Sequence, residues 1–147
     1  MKIDKTNIEI IKQLRNGRKS FRKIAEELSI TENTVRSRVT KLQEDGILEI
    51  AGIVDIESLP GHQQVIFGVK LQNMDLLDKA EEFSKLDCVI SSCVVTGRFD
   101  LIVVVILNEE NTLLDFITKK VGSIEGVKSI ESFVVFKGFN MKVPYIL

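Results

Sequence analysis

The sequence holds one histidine, two cysteines and no apolar run long enough to span a bilayer. Each shortage removes a class of function. His62 alone cannot form the histidine cluster that zinc or iron sites use. Cys88 and Cys93 are an odd number of residues apart. On one strand that spacing puts them on opposite faces, so they neither bridge each other nor share a metal. Buried free thiols are the expectation. The longest apolar run, LIVVVIL at 101–107, falls far short of the roughly 20 residues a membrane helix needs. The opening MKIDKTNIEI has no apolar stretch behind its positive charge, so no signal peptide is visible. A cytoplasmic protein with no membrane contact is expected. No nucleophile–base pair or metal-ligand spacing stands out, so no enzyme is expected.

What is present is an ordinary foldable composition. The 147 residues are 44% hydrophobic and 28% charged, enough to bury a core in one medium domain or two small ones. The net charge of −1 says little, but its distribution says more. Residues 1–50 carry 11 Lys/Arg against 8 Asp/Glu, and residues 51–147 carry 9 against 13. A basic N-terminal third on an acidic remainder fits a nucleic-acid module joined to a second unit.

The first fifty residues read as three short helices. In DKTNIEIIKQLRNG, Ile8, Ile11 and Leu14 recur at helical spacing with Ile3 and Ile10 as flankers, Asp4 as cap and Gly17 as stop. The second helix starts at Ser20, a good N-cap, and turns Ile24, Ala25 and Leu28 inward. The third starts at Thr31. Only Ser29 and Ile30 separate the two, a tight helix–turn–helix connection. After Gly46 the period changes, and ILEIAGIVDI reads as two short strands or one bent ribbon. ESLPGHQ supplies a Pro-Gly turn and the expected linker. The division is therefore 1–50, a connecting segment at 51–62, and 63–147.

The remainder reads strand (64–72), helix (76–85), strand (88–97), strand (100–108), helix (112–122), strand (127–138). Two strand–helix–strand halves predict a ferredoxin-like βαββαβ domain, an α+β fold. The strand at 100–108 is apolar on both faces, so it should be central and covered on both sides. Helices cover only one face in this topology. A second copy of the sheet is the simplest cover for the other, which predicts a homodimer.

The helix at 31–45 carries the most specific signal. Val35, Val39 and Leu42 form one narrow apolar stripe. Asn33, Thr34, Arg36, Ser37, Thr40 and Lys41 occupy the opposite arc, and Arg38 flanks the stripe. Asn, Thr and Ser stand where Glu, Lys and Gln would make a better helix. They suit base edges and phosphates instead. From Asn33 to Gln43 there is no acidic residue, so this face can approach a phosphate backbone without self-repulsion. In a major groove, Arg36 is the candidate for a guanine edge and Asn33 for an adenine. Ser37, Arg38 and Lys41 are candidate phosphate contacts. Arg22 and Lys23 on the preceding helix, with the caps Ser20 and Thr31, complete the double-stranded-DNA-binding set.

GRKSFRKIAEELSITENTVRSRVTKLQEDGIL, with Gly17-Arg18, Ser20, Ile24-Ala25, Leu28, Thr34-Val35, Arg38-Val39, Leu42 and Gly46-Ile47, resembles the winged helix–turn–helix of the Lrp/AsnC (feast/famine) transcription regulators. The later βαββαβ segment resembles that family's regulatory (RAM) domain, and Gly97-Arg98-Phe99-Asp100 stands at its Gly-acid-aromatic-Asp turn. The resemblance covers essentially the whole chain. It implies DNA binding near amino-acid or central-metabolism genes, dimers formed through the regulatory sheets, and assembly of four dimers into an octamer. It also implies an amino-acid effector rather than a resident cofactor. By position the effector contacts are Thr96, Gly97, Arg98 and Asp100, with Ser132 on the last strand. Arg98 departs from the acid many relatives carry, which favours an anionic ligand or an ion pair within the assembly. A glycine hairpin needs no ligand at all, which is the competing explanation for this turn.

Three other functions compete. Siroheme decarboxylases resemble this architecture but are expected to use a basic, histidine-bearing pocket, for which one His and few Arg in the second half are a poor match. An RNA-binding sheet needs exposed aromatics on central strands, and LIVVVIL has none. A metabolite sensor that has lost DNA binding would not need the intact polar face at 31–45.

Overall fold

The protein is described by a computed structural model covering residues 3–147, so the first two residues of the expected N-terminal unit lie outside the described residues. Two compact units result, divided between Ala51 and Gly52. The Pro60–Gly61 turn lies inside the second unit, where Ile56, in a 3-10 turn at Ile56–Ser58, is buried.

The first unit holds three helices: α1 (Lys5–Leu14), α2 (Phe21–Leu28) and α3 (Glu32–Glu44). Asp4, Ser20 and Thr31 cap them, each side chain accepting a bond from a backbone N–H three residues on. Ile10, Ile24, Ala25, Val35 and Val39 form the core, with Leu14, Phe21, Leu28 and Leu48 packed around it. Leu42 is also fully buried. Two expectations for α1 are corrected. Its inward stripe is Asn7, Ile10 and Leu14, whereas Ile8 is 46% exposed. The phase is set by Asn7, whose buried amide oxygen accepts from Arg38 at 2.8 Å, so a polar residue occupies a core position once its bond is supplied. Gly17 is not the terminator. α1 ends at Leu14 through Arg15 N–H to Lys12 O (3.3 Å) and Asn16 N–H to Gln13 O (3.4 Å). Gly46, by contrast, has φ +66°. It lets Ile47 and Leu48 donate back to Leu42 O at 2.9 and 3.1 Å, which closes α3.

The ribbon expected over ILEIAGIVDI shrinks to β1 (Ile53–Val54), and residues 47–51 form no strand. β1 pairs antiparallel with β6 (Val143–Pro144) at the far end of the chain. A partner ninety residues away leaves no local trace in sequence.

The second unit follows the expected order: β2 (Gln63–Leu71), α4 (Leu76–Ser84), β3 (Val89–Val94), β4 (Leu101–Leu107), a helix at 113–123 designated α5, and β5 (Val127–Val134). α5 starts at Leu113 as an α-turn, passes through a π-helical stretch at Phe116–Lys120 and ends in a 3-10 turn. The sheet order is β3-β4-β2-β5, all antiparallel, which is the ferredoxin-like arrangement. β4 is central, as its two apolar faces require. One sheet face buries Val65, Phe67, Val69, Leu101, Val103 and Val105 against Phe83 and Phe116. Phe67 and Phe116 stack with ring centres 4.9 Å apart. On the other face, Ile66, Ile102 and Val104 are only half-buried. Cys88 precedes β3 with φ 66° instead of lying on it, and it is buried; Cys93 is exposed, which corrects the expectation of two buried thiols on one strand.

Candidate nucleic-acid interface

Burial of Val35, Val39 and Leu42 to 2% exposure or less fixes how α3 rolls. The opposite arc then faces solvent. Asn33, Arg36, Ser37, Thr40 and Lys41, with Glu44, line one shallow groove of about 450 Å³ along the helix. The structure thus brings four of the sequence-selected residues of this helix into one surface. Thr31 and Thr34 are spent locally, because their hydroxyls bond each other at 2.8 Å while Thr31 caps the helix.

The acid-free stretch is not acid-free in space. Glu32 reaches Arg36 at 2.8 Å and Asp45 reaches Lys41 at 2.7 Å, both one helical turn away. Lys41 accordingly titrates above the ordinary lysine range and Asp45 below that of a carboxyl, each because of the other's hydrogen bond. The Arg36 guanidinium also lies over the Phe21 ring, 5.4 Å from its centre. On α2, Arg22 pairs with Glu26 at 3.1 Å, while Lys23 has no carboxylate within ion-pair distance among the described residues and only its longer-range charge helps Lys19 hold the Glu27 carboxyl below its usual range. These pairs are well exposed, so they contribute little to stability and are readily exchanged for phosphate.

Arg38 behaves differently. It donates to Asp4 Oδ2 at 2.7 Å and Asn7 Oδ1 at 2.8 Å, tying α3 to the start of α1. The Asp4 carboxyl is held below its usual range by the Asn7 N–H and then by Arg38. Arg38 therefore has a structural task that periodicity did not reveal. Glu32, Asp45 and Phe21 were also missed, although the i,i+4 spacings to Arg36 and Lys41 were legible.

Four of the candidate effector residues, Thr96, Gly97, Arg98 and Asp100, lie on the loop between β3 and β4, with Gly97 at φ +121°, and the fifth, Ser132, lies on β5. Arg98 pairs with Glu131 of β5 at 2.5 Å, so its ion pair is made within the chain. Phe99 lies on Gly68, where a Cβ would come within 2.5 Å of its ring, and meets Phe133 edge-on at 6.1 Å. Asp100 accepts from Lys70 Nζ and from the Leu71 N–H, both at 2.8 Å. The Leu71 bond first, then Lys70, holds its carboxyl below the usual range. Thr96, Gly97 and Ser132 are exposed. Ser132 pairs in register with Phe67 and its neighbour Glu131 with Gly68. Alternation therefore puts Glu131, not Ser132, on the face that meets Arg98. Glu131, Lys70 and Gly68 had no sequence signal, because their partners lie about thirty residues away.

Residues 3–43 match the AsnC-type helix-turn-helix domain profile. Residues 64–143 match the Lrp/AsnC ligand binding domain profile. The chain belongs to the Lrp/AsnC family. It is a helix–turn–helix transcriptional regulator, and its similarity to other members spans both units. It is 28% identical over 140 residues to the HTH-type transcriptional regulator Ptr1 of Methanocaldococcus jannaschii, covering 94% of this chain and 95% of that one. It is 30% identical over 128 residues to LrpA of Pyrococcus horikoshii, covering 86% and 89%. Among solved structures, a Neisseria meningitidis transcriptional regulator in complex with L-Met superposes with TM-score 0.70 and 25% identity over 99% of this chain and 96% of that one. E. coli AsnC does so with TM-score 0.68 and 23% identity over 94% and 95%. Among the described residues no helix is long and apolar enough to cross a membrane.

Proposed function

We propose that this regulator acts in the cytoplasm as a homodimer that reads double-stranded DNA with α3, without enzymatic activity, and is modulated by an amino acid. The observation that carries the reading is the open groove on α3, where Asn33, Arg36, Ser37 and Lys41 converge on a helix whose other side is fully packed. Arg36 and Asn33 read base edges; Ser37, Lys41, Ser20, Arg22 and Lys23 hold phosphates. Thr31 and Thr34 set the helix start, and Arg38 sets its tilt against α1. The half-buried apolar face of Ile66, Ile102 and Val104, with Phe133 47% exposed beside it, supports pairing of two sheets. Four such dimers form the full assembly.

The amino-acid site is the β3–β4 loop, with Thr96, Gly97, Arg98 and Asp100 around it and Glu131, in place of Ser132, facing it from β5. The L-Met complex of the Neisseria regulator supports this class of ligand. Arg98 is the group for an effector carboxylate, in exchange for Glu131. The regulator names of the relatives favour this reading over a decarboxylase of similar architecture.

The test is binding of the purified protein to its own upstream DNA and to a scrambled duplex across a salt series. A preference for the upstream fragment that weakens steeply with salt is expected. Equal binding to both duplexes at low salt overturns the reading. Light scattering with and without a panel of amino acids then reads assembly and effector together.

A further inference from the structure

A concavity larger than the α3 groove lies elsewhere in the first unit. It is a notch of about 690 Å³ where the end of α1 and the loop after it meet the start of α2. Lys12, Arg15, Arg18, Lys19 and Lys23 line it with Gln13, Asn16 and Ser20, and no carboxylate is part of the lining. Ion pairing divides these cations. Lys12 is tied to Glu9 at 2.7 Å and Lys19 to Glu27 at 2.5 Å. Arg15, Arg18 and Lys23 have no ion-pair partner among the described residues. In the first unit the cations with partners are Lys12, Lys19, Arg22, Arg36, Arg38 and Lys41. Among the described residues of this unit, Lys5 alone shares the unpaired condition of the three in the notch. Three of the four described cations of this unit without an ion-pair partner are therefore gathered in one concave place, off the recognition helix.

We infer that this notch grips the DNA backbone beside the groove that α3 enters, so that Arg15, Arg18 and Lys23 are phosphate contacts. The inference rests on the DNA-binding reading above. Several independent lines agree. When the second helix of a helix–turn–helix lies in the major groove, the first crosses the backbone, which brings the start of α2 and the loop before it to the phosphates. An unpaired cation gives up no protein ion pair on meeting a phosphate, whereas Arg36 and Lys41 must release Glu32 and Asp45. The notch is open and lined by flexible charged side chains, which suits a strand of repeating phosphates rather than one enclosed ligand. Most of the sequence-independent affinity then comes from the notch, and α3 contributes discrimination.

The test compares Arg15→Ala, Arg18→Ala, Lys23→Ala and their combination with Lys5→Ala, the unpaired cation outside the notch. Each notch cation removed should lower the slope of log K against log salt by about 0.9, with equal losses on upstream and scrambled DNA. Lys5→Ala and Arg18→Lys should keep the wild-type slope, and thermal melts should confirm that each variant is folded. An unchanged slope in the combined variant overturns the inference, as does a loss confined to the upstream sequence or an equal effect of Lys5→Ala. Binding of inorganic pyrophosphate in the notch with the DNA slope unaltered also overturns it. A wild-type protein without sequence preference would instead overturn the DNA-binding reading itself.

Discussion

The α3 face and the β3–β4 turn both carry charged residues at positions that suggest binding, yet they are built in opposite ways. On α3 the exposed cations are held by acids one turn away on the same helix, in water, by contacts that any phosphate can replace. At the turn, Asp100 is held by a backbone N–H and by Lys70 from a neighbouring strand, and Arg98 by Glu131 from another. The first arrangement keeps charges available. The second uses them to hold a loop in shape. Asp100 is therefore a support for the turn itself, and in the proposed effector site Arg98 is the exchangeable group.

The largest effects should come from removing what each region stands on. Phe67→Ala empties a fully buried site stacked on Phe116. It should cost about 3–5 kcal/mol in urea denaturation. Leu42→Ala should cost about 2–5 kcal/mol and weaken DNA binding, since α3 loses its packed stripe. Wild-type DNA affinity in the Leu42 variant would show that the polar face does not depend on that packing. Next, Arg36→Ala should cost about 1–3 kcal/mol in DNA affinity and relax the preference at one base pair. A uniform loss on every sequence would reassign it to the backbone.

The turn is sharpened by acid. Because the folded Asp100 titrates below its ordinary value near 3.8, its contribution to stability is fully present above that range. It is lost as pH falls through the lower folded value. Asp100→Asn should therefore melt below wild type at neutral pH, and the gap should close on acidification below about pH 4. A gap independent of pH would show that the carboxylate's charge is not what holds the loop. The smallest effect belongs to Glu32→Gln, which frees Arg36. Stability should change by less than about 1 kcal/mol, while DNA affinity rises slightly. A marked loss of DNA affinity would mean that Glu32 orients Arg36 rather than merely parking it.

The local order of elements was legible because local signals carry it. The period of Val35, Val39 and Leu42, the caps Asp4, Ser20 and Thr31, and the two-faced apolar strand at 101–107 each depend on neighbours a few residues away. Those signals also select the solvent-facing residues of α3. Tertiary structure alone settled the pairings across distance. It put Asn7 rather than Ile8 in the core by supplying Arg38, thirty-one residues on. It gave β1 its partner at the other end of the unit, joined Asp100 to Lys70 and Arg98 to Glu131, and gathered Arg15, Arg18 and Lys23 around one notch. Periodicity reports which way a side chain points, but what it meets there is decided by chain closure over tens of residues, which leaves no local pattern to read.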